Sequence, residues 1–332
     1  MSQENYLLEV KNLKMYFPVS GIIGSQKKFV KAVDDISFIV EQGKTFGLVG
    51  ESGCGKTTAG KCILRINRPT DGNIVYKGKD IAKFSDRQLK PIRREIQLIF
   101  QDPYGSLNPR QSVGAILMDA IMEDGKKRSR EELRAEVDRL LTLVELSPEM
   151  ADRYPHEMSG GQRQRLGIAR ALACDPELII CDEPVSALDV SIQAQIINLF
   201  EQLQKKLGLT YIFIAHDLAV VRHIADTIAV MYLGHIVETM EANELFHKPM
   251  HPYTKSLLSA IPIVDYDEEH KRERIVLHGE VPSPINAPSG CPFHPRCIYA
   301  TEECSKSVPQ LRDVGDGHYV ACHHLEETST VD

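Results

Sequence analysis

No stretch of this 332-residue chain is long and apolar enough to cross a bilayer. Its apolar runs, such as 178–181 and 211–215, are strand-length, against the roughly 20 residues that a spanning helix needs. Positive charge is also in short supply. Lys and Arg total 39 against 46 Asp and Glu, a formal net charge of −7. That balance excludes a general electrostatic attraction to nucleic acid or to an anionic lipid surface. Met1-Ser2-Gln3-Glu4-Asn5 has neither the basic nor the apolar segment of a secretory signal, so a cytoplasmic location is expected. Internal repeats and low-complexity tracts are lacking as well. What is left, 42% hydrophobic and 26% charged residues, is the composition of an ordinary soluble globular protein. The length allows one large domain with an appendage, or two ordinary domains.

Strand-length and helical patterns follow one another along most of the chain. Residues 7–13 and 32–40 alternate as half-buried strands do, on either side of a Gly/Ser/Lys loop, and frame an antiparallel edge. From Lys44 onward the apolar runs 45–49, 96–100, 178–181 and 211–215 are interspersed with helical patterns at 56–66, 192–206 and 219–225. Such alternation predicts a mostly parallel sheet covered by helices. Between Asp102 and Glu157 the strands stop. Residues 130–144 form a charged amphipathic helix with Leu133, Val137, Leu140, Leu141 and Val144 at helical spacing, which marks an inserted helical subdomain. Residues 227–232 and 235–239, joined by Leu233-Gly234, predict a hairpin. A charged run, 265–274, and a Pro-rich stretch, 281–288, then set off a cysteine-bearing tail.

The chemistry is concentrated in a few short segments. Gly50-Glu51-Ser52-Gly53-Cys54-Gly55-Lys56-Thr57 is a phosphate-binding loop, G-x-x-x-x-G-K-[ST], between an apolar strand and a helix. Its glycines let successive N–H groups turn toward the α- and β-phosphates of a nucleotide, and the positive end of the helix, with Thr58 in its first turn, favours the anion. Lys56 reaches the outer phosphates and the Thr57 hydroxyl is placed to ligate Mg²⁺. Leu178-Ile179-Ile180-Cys181-Asp182-Glu183 is a buried strand ending in two carboxylates. Asp182 is suited to hold Mg²⁺, and Glu183, facing the other way, to polarise an attacking water. The plainer alternative is that both acids cap the helix that follows. Ser159-Gly160-Gly161-Gln162 precedes a helix predicted at 163–173. Two glycines at a helix start admit a second anion, and the Ser hydroxyl can donate to it.

In their order and surroundings these segments resemble the full motif set of an ATP-binding cassette ATPase. The set is the phosphate loop, Gln101 in Leu98-Ile99-Phe100-Gln101-Asp102-Pro103, Ser159 to Gln162, Asp182-Glu183, Ser186-Ala187-Leu188-Asp189 and His216. The resemblance runs from residue 6 to about 245. It implies a P-loop NTPase (RecA-like) α/β core at 1–101 and 159–245 with an antiparallel β edge and a helical subdomain at 102–158. It also implies two cassettes sandwiching two ATPs head to tail. Ser159, Gly160 and Gly161 would then bind the γ-phosphate of the partner's ATP, with Gln162 beside them. Gln101 would contribute to the Mg²⁺ site and link it to a membrane subunit, His216 would hydrogen-bond the γ-phosphate, and Asp189 would communicate across the dimer. An aromatic just after the first strand would stack on adenine, Phe17 or its neighbour Tyr16. Met158 stands where the family has leucine, a volume-conserving exchange expected to be silent.

Of eight cysteines, Cys54, Cys62, Cys174 and Cys181 sit singly in this core and read as small buried hydrophobes. The others, Cys291-x₅-Cys297-x₆-Cys304-x₁₇-Cys322, put four soft donors in one short segment. They suit Zn²⁺ or an iron–sulfur cluster, without the paired C-x₂-C knuckles commonest for zinc, or else are free thiols. His251-Pro252-Tyr253-Thr254 reads as a capped helix start with Pro in the first turn. That segment, with Cys291-Pro292-Phe293-His294-Pro295-Arg296-Cys297, is similar to the C-terminal extension, here 246–332, of ATPases serving oligopeptide, dipeptide and nickel importers. The resemblance implies a [4Fe–4S] cluster on the four tail cysteines. It also implies two membrane permease subunits, a second related ATPase in a heterodimer, an extracytoplasmic solute-binding protein, no nucleic-acid partner, and attachment at the cytoplasmic face of the membrane. Two other readings compete. One is a soluble cassette protein acting on DNA or ribosomes, against which stand the modest helical insert and the single cassette. The other is a cysteine-based redox or metal sensor.

Overall fold

A computed structural model describes residues 6–19, 28–102, 104–261, 275–277 and 279–325. The N-terminal Met1 to Asn5, the expected loop at 20–27, Pro103 and the charged run 265–274 lie outside the described residues. The chain forms two compact units, one of Met1–Glu41, Thr45–Lys83 and Ala215–Asp332, the other of Gln42–Lys44 and Phe84–Ile214.

In the first unit, β1 (Tyr6–Val19) and β2 (Lys28–Glu41) pair antiparallel. Leu8 and Val10, and then Leu13 and Met15, alternate along β1 toward the core with the period of a half-buried strand, the two pairs separated by a register shift between Val10 and Leu13. The strand is longer than its clearest alternation, because the ladder to β2 continues through Tyr16 and Phe17 to Val19. Both aromatics therefore lie inside the first strand and not after it. β3 (Thr45–Val49), buried throughout, runs into α1 (Lys56–Ile63) through the glycine-rich loop. The helix stops three residues short of the expected end, where Arg65 turns left-handed at φ +56° and its guanidinium donates to the Ile81 carbonyl at 3.1 Å. β4 (Asp71–Tyr76) and β5 (Lys79–Asp80) complete a sheet ordered β2-β1-β4-β5. Phe38 of β2 stacks on Phe46 of β3 with ring centroids 4.5 Å apart.

β3 pairs in parallel with β9 (Thr227–Tyr232), which follows α7 (Leu218–Ile224) and turns into antiparallel β10 (His235–Glu241). The two turn residues, Leu233 and Gly234, have φ of +43° and +86°, the hand that matches the twist of a two-residue hairpin. α8 (Ala242–His247) and α9 (Pro252–Ser259) follow, and α9 begins as expected, with His251 as N-cap accepting from the Tyr253 amide at 3.1 Å. The tail contributes α10 (Glu302–Lys306), β11 (Arg312–Asp313) and β12 (Tyr319–Val320). It is stitched to the core by main-chain pairing, β12 lying against Glu238 and Thr239 of β10. The wholly buried Glu238 carboxylate accepts from the amides of Met250 and His251 at 2.6 and 3.1 Å and lies 2.7 Å from the His318 ring.

The second unit holds β6 (Ile96–Ile99), β7 (Leu178–Asp182) and β8 (Thr210–Ala215), parallel in the order β8-β7-β6. Phe200 of α6 (Val190–Leu207) meets Tyr211 and Phe213 of β8 edge-on at 5.4 and 5.8 Å. The helical stretch contains more than the one amphipathic helix expected. α2 (Asp86–Glu95) lies before β6, outside that stretch; within it α3 (Val113–Met122) precedes α4 (Arg130–Leu143), which buries Val137, Leu140 and Leu141. α4 starts at Ser129, whose side chain and that of Glu132 cap each other's amides reciprocally. α3 lacks a period-3.6 stripe because it is apolar nearly all round, which hides it from pattern reading. Among the described residues, no helix is long and apolar enough to cross a membrane.

Candidate functional site

The loop after β3 is shaped by its glycines and closed by its lysine. Gly55, the N-cap of α1, has φ +111°, and a Cβ there would lie 2.0 Å from the Ala32 carbonyl oxygen, so no other residue fits. Lys56 is 4% exposed, and its ammonium donates to the carbonyls of Gly50 at 2.8 Å and Glu51 at 3.0 Å. Cys54 faces inward, its thiol pushed up by burial, and its carbonyl accepts from Gly234 at 2.8 Å. Ser52 and Gly53 stand exposed at the lip of the loop, with Thr57 and Thr58 half-buried behind them.

Glu51 is held from three sides. Its amide donates to the Tyr253 hydroxyl at 2.9 Å, and its carbonyl takes Lys56 and the Cys54 amide. Its carboxylate takes a forked ion pair from Arg296, with N···O distances of 2.9, 3.2 and 3.2 Å. Reading the sequence missed Tyr253, Arg296 and Glu51 as members of the site. The signal was the His-Pro-Tyr segment, interpretable on its own only as a helix start.

Burial, and then the hydrogen bond its hydroxyl donates to Asp34, raise the pKa of the Tyr16 phenol, and Lys31 lies 5.4 Å from its ring centroid. Phe17 is its half-buried neighbour on the strand. His216 stands exposed just beyond β8, before Asp217, which caps α7 by accepting from Ala219 at 2.8 Å.

In the second unit, β7 delivers Asp182, 5% exposed, at its end. The next residue, Glu183, is in the left-handed region at φ +47°. A non-glycine residue held there stores about 1–3 kcal/mol of strain. The turn is secured by the Glu183 amide donating to Ile214 at 2.9 Å and by the Ser186 hydroxyl donating to the Glu183 carbonyl at 3.1 Å. The Glu183 side chain thereby meets Gln101, whose amide nitrogen donates to its carboxylate at 3.1 Å across 82 residues of sequence.

α5 (Gly160–Leu172) starts three residues earlier than its periodicity suggests, so Gly160 and Gly161 form its first turn. Ser159 is its exposed N-cap, accepting from the Gln162 amide at 3.3 Å while Gln162 accepts from the Ser159 amide at 3.0 Å. Since the cap uses the Ser159 oxygen as acceptor, its O–H remains a donor for an anion. A Cβ on Gly161 would press on Ile192 at 2.7 Å. Asp189 is the exposed N-cap of α6.

The core cysteines Cys54, Cys62 and Cys181 are buried and Cys174 is half-buried; burial pushes the Cys62 thiol up to about 12. In the tail, burial and then the neighbouring cysteines push Cys291 and Cys297 up to about 11 each, and Cys322 also rises. Among the described residues, no three His, Cys, Asp or Glu side chains gather closely enough to hold a single metal ion.

Comparison with known proteins fits this geometry. Residues 33–186 match the ABC transporter family model. The oligopeptide transport ATP-binding protein AppF of Bacillus subtilis is 51% identical over 324 residues, 97% of this chain and 98% of that protein. The chain belongs to the ATP-binding cassette family. Residues 237–304 of this cassette ATPase match the oligopeptide/dipeptide transporter C-terminal region. The oligopeptide transport ATP-binding protein OppF of Salmonella typhimurium is 49% identical, with 97% of each chain covered. Among solved structures, the dimeric post-hydrolysis state of the ATP-binding cassette MJ0796 bound to ADP and Pi superposes with a TM-score of 0.63 at 27% identity. It covers 71% of this chain and 98% of that one. The P-loop NTPase core is therefore that of a cassette ATPase.

Proposed function

We propose that this ATPase powers the uptake of di- or oligopeptides across the cytoplasmic membrane, as the ATP-binding subunit of an importer. The observation that carries this reading is identity near 50% over essentially the whole chain to oligopeptide transport ATP-binding proteins. The tail is included in that match, and residues 237–304 match the oligopeptide/dipeptide transporter C-terminal region. The membrane spans are supplied by two permease subunits. A second ATPase and an extracytoplasmic solute-binding protein complete the assembly, which keeps this chain at the cytoplasmic face.

In this reading the amides of Ser52, Gly53, Cys54, Gly55, Thr57 and Thr58 receive the nucleotide's phosphates. Lys56 exchanges its two loop carbonyls for phosphate oxygens, and Phe17 or Tyr16 stacks on adenine. Thr57, Asp182 and Gln101 would hold Mg²⁺, whose charge would offset that on the phosphates. Glu183 takes a proton from the attacking water, His216 donates to the γ-phosphate, and the partner's Ser159, Gly160 and Gly161 close over it. The contact between Gln101 and Glu183 supports this assignment, because the residue that would sense the permease touches the general base. Asp189 carries the signal across the dimer.

The tail cysteines fit a [4Fe–4S] cluster by the softness and number of their donors. The four thiolates would hold the cluster as a staple across a tail with little core of its own. Peptide uptake by cells carrying Glu183→Gln in place of the wild-type chain tests the function. Uptake should fall to background, and undiminished uptake would refute it. Brown anaerobic preparations with stoichiometric iron support the cluster; colourless protein with zinc overturns it.

A further inference from the structure

The C-terminal tail reaches into the phosphate loop, and it does so through one residue. Glu51 is the second residue of the loop, and its carbonyl is one of the two that hold the Lys56 ammonium. Its amide is taken by Tyr253 of α9 and its carboxylate by Arg296, which lies 245 residues away in sequence between Cys291 and Cys297. Neither partner is loose. Tyr253 is fully buried, packed at 4.7 Å from the Tyr232 ring and 5.5 Å from Phe293. The Arg296 side chain is 8% exposed, and its amide donates to the Phe293 carbonyl at 3.0 Å. Phe293, 1% exposed, is packed edge-on against Tyr232 at 5.2 Å and lies 5.6 Å from His251. The His-Pro-Tyr helix start and the cysteine loop thus share one aromatic box, and from it two polar groups converge on a single loop residue.

We propose that Tyr253 and Arg296 are positioning residues for ATP hydrolysis, a clamp by which the tail holds the phosphate loop in its nucleotide-ready shape. A glycine-rich loop that must present several amides to a phosphate binds more weakly if it is ordered only on binding. Fixing one peptide in the middle of the curl removes part of that cost in advance. Arg296 suits the task because a guanidinium grips a carboxylate in two places and so sets an orientation as well as a charge. The tyrosine hydroxyl accepts the Glu51 N–H and so keeps that amide turned away from the phosphate pocket. This inference rests on the reading that Gly50 to Thr57 holds the nucleotide's phosphates.

The test measures Mg·ATP affinity and steady-state hydrolysis for the full-length chain assembled with its transporter partners. Tyr253→Phe keeps the ring and loses the hydroxyl; Arg296→Gln removes the charge. Each should raise the KM for ATP about three- to tenfold, with kcat changed far less, because the chemistry lies on other residues. Should Arg296→Gln not fold, Tyr253→Phe carries the test alone. Unchanged ATP affinity in the folded variants, even with a lowered melting temperature, would reduce the contacts to a structural staple and overturn the proposal. Lys56→Ala separates the two levels of inference. If Lys56→Ala loses ATP while Tyr253→Phe binds normally, the clamp alone fails. If Lys56→Ala binds ATP as wild type does, the loop assignment falls and the clamp with it.

Discussion

Lys56 is nearly buried, yet two main-chain carbonyls are enough to hold its charge, because each is a fixed dipole aimed at the ammonium. In the proposed reading a phosphate would offer oxygens of full negative charge, and the side chain would trade weak acceptors for strong ones. Lys56→Ala should weaken ATP binding about 10- to 100-fold, measured by titration with a fluorescent nucleotide. At Glu183 the strained backbone and the Gln101 contact aim one carboxylate while leaving its neighbour Asp182 buried on the strand. Glu183→Gln keeps the shape of the side chain and removes only the carboxylate proposed as the base. Its expected signature is intact ATP affinity with kcat lowered about 10²- to 10⁴-fold, read in the assembled complex. Hydrolysis equal to wild type would remove the general-base role.

At the scale of elements, helix starts do most of the positioning. Ser159 caps α5 and presents a hydroxyl, Gly55 opens α1 from the glycine-rich loop, and His251 caps α9 so that Tyr253 points at Glu51. The His251 cap carries a pH dependence. Burial lowers its pKa from the ordinary 6.5 to about 4, against the opposing pull of Glu238. The folded state therefore keeps this ring neutral while the unfolded chain protonates it below 6.5. Its contribution is full above 6.5, declines as the pH falls, and is gone below about 4, a loss of about 3 kcal/mol. Thermal melts should show wild type losing stability more steeply than His251→Asn over that window. Two elements that sequence reading shortened or missed share one cause. The clear alternation of β1 fades after Leu13 although pairing with β2 continues, and α3 is apolar all round, so neither announces itself through periodicity.

Over the whole molecule, each compact unit carries part of the motif set, and each has its own packed core. In the second, Phe200 sits edge-on between Tyr211 and Phe213, and the Tyr211 hydroxyl donates to the Phe200 carbonyl at 3.2 Å. Phe200→Ala should cost about 3–5 kcal/mol, seen as a lower melting temperature. Affinity purification from detergent-solubilised membranes should recover this chain with two membrane-spanning proteins and a second ATPase. Recovery of the chain alone would count against the importer reading.

Chemistry that depends on residues adjacent in the chain was legible from the start. The glycine curl with its lysine, the strand ending in Asp182-Glu183, the serine before two glycines and the proline-led start of α9 are each set by the torsional and hydrogen-bonding preferences of a few neighbours. Such preferences act without knowledge of the rest of the fold. What only the tertiary structure decided are the meetings between distant segments: Gln101 with Glu183, the tail strand with β10, and above all Tyr253 and Arg296 on Glu51. Those depend on where packing brings the chain back upon itself. No local pattern around Glu51 marks it as the residue to which the tail returns.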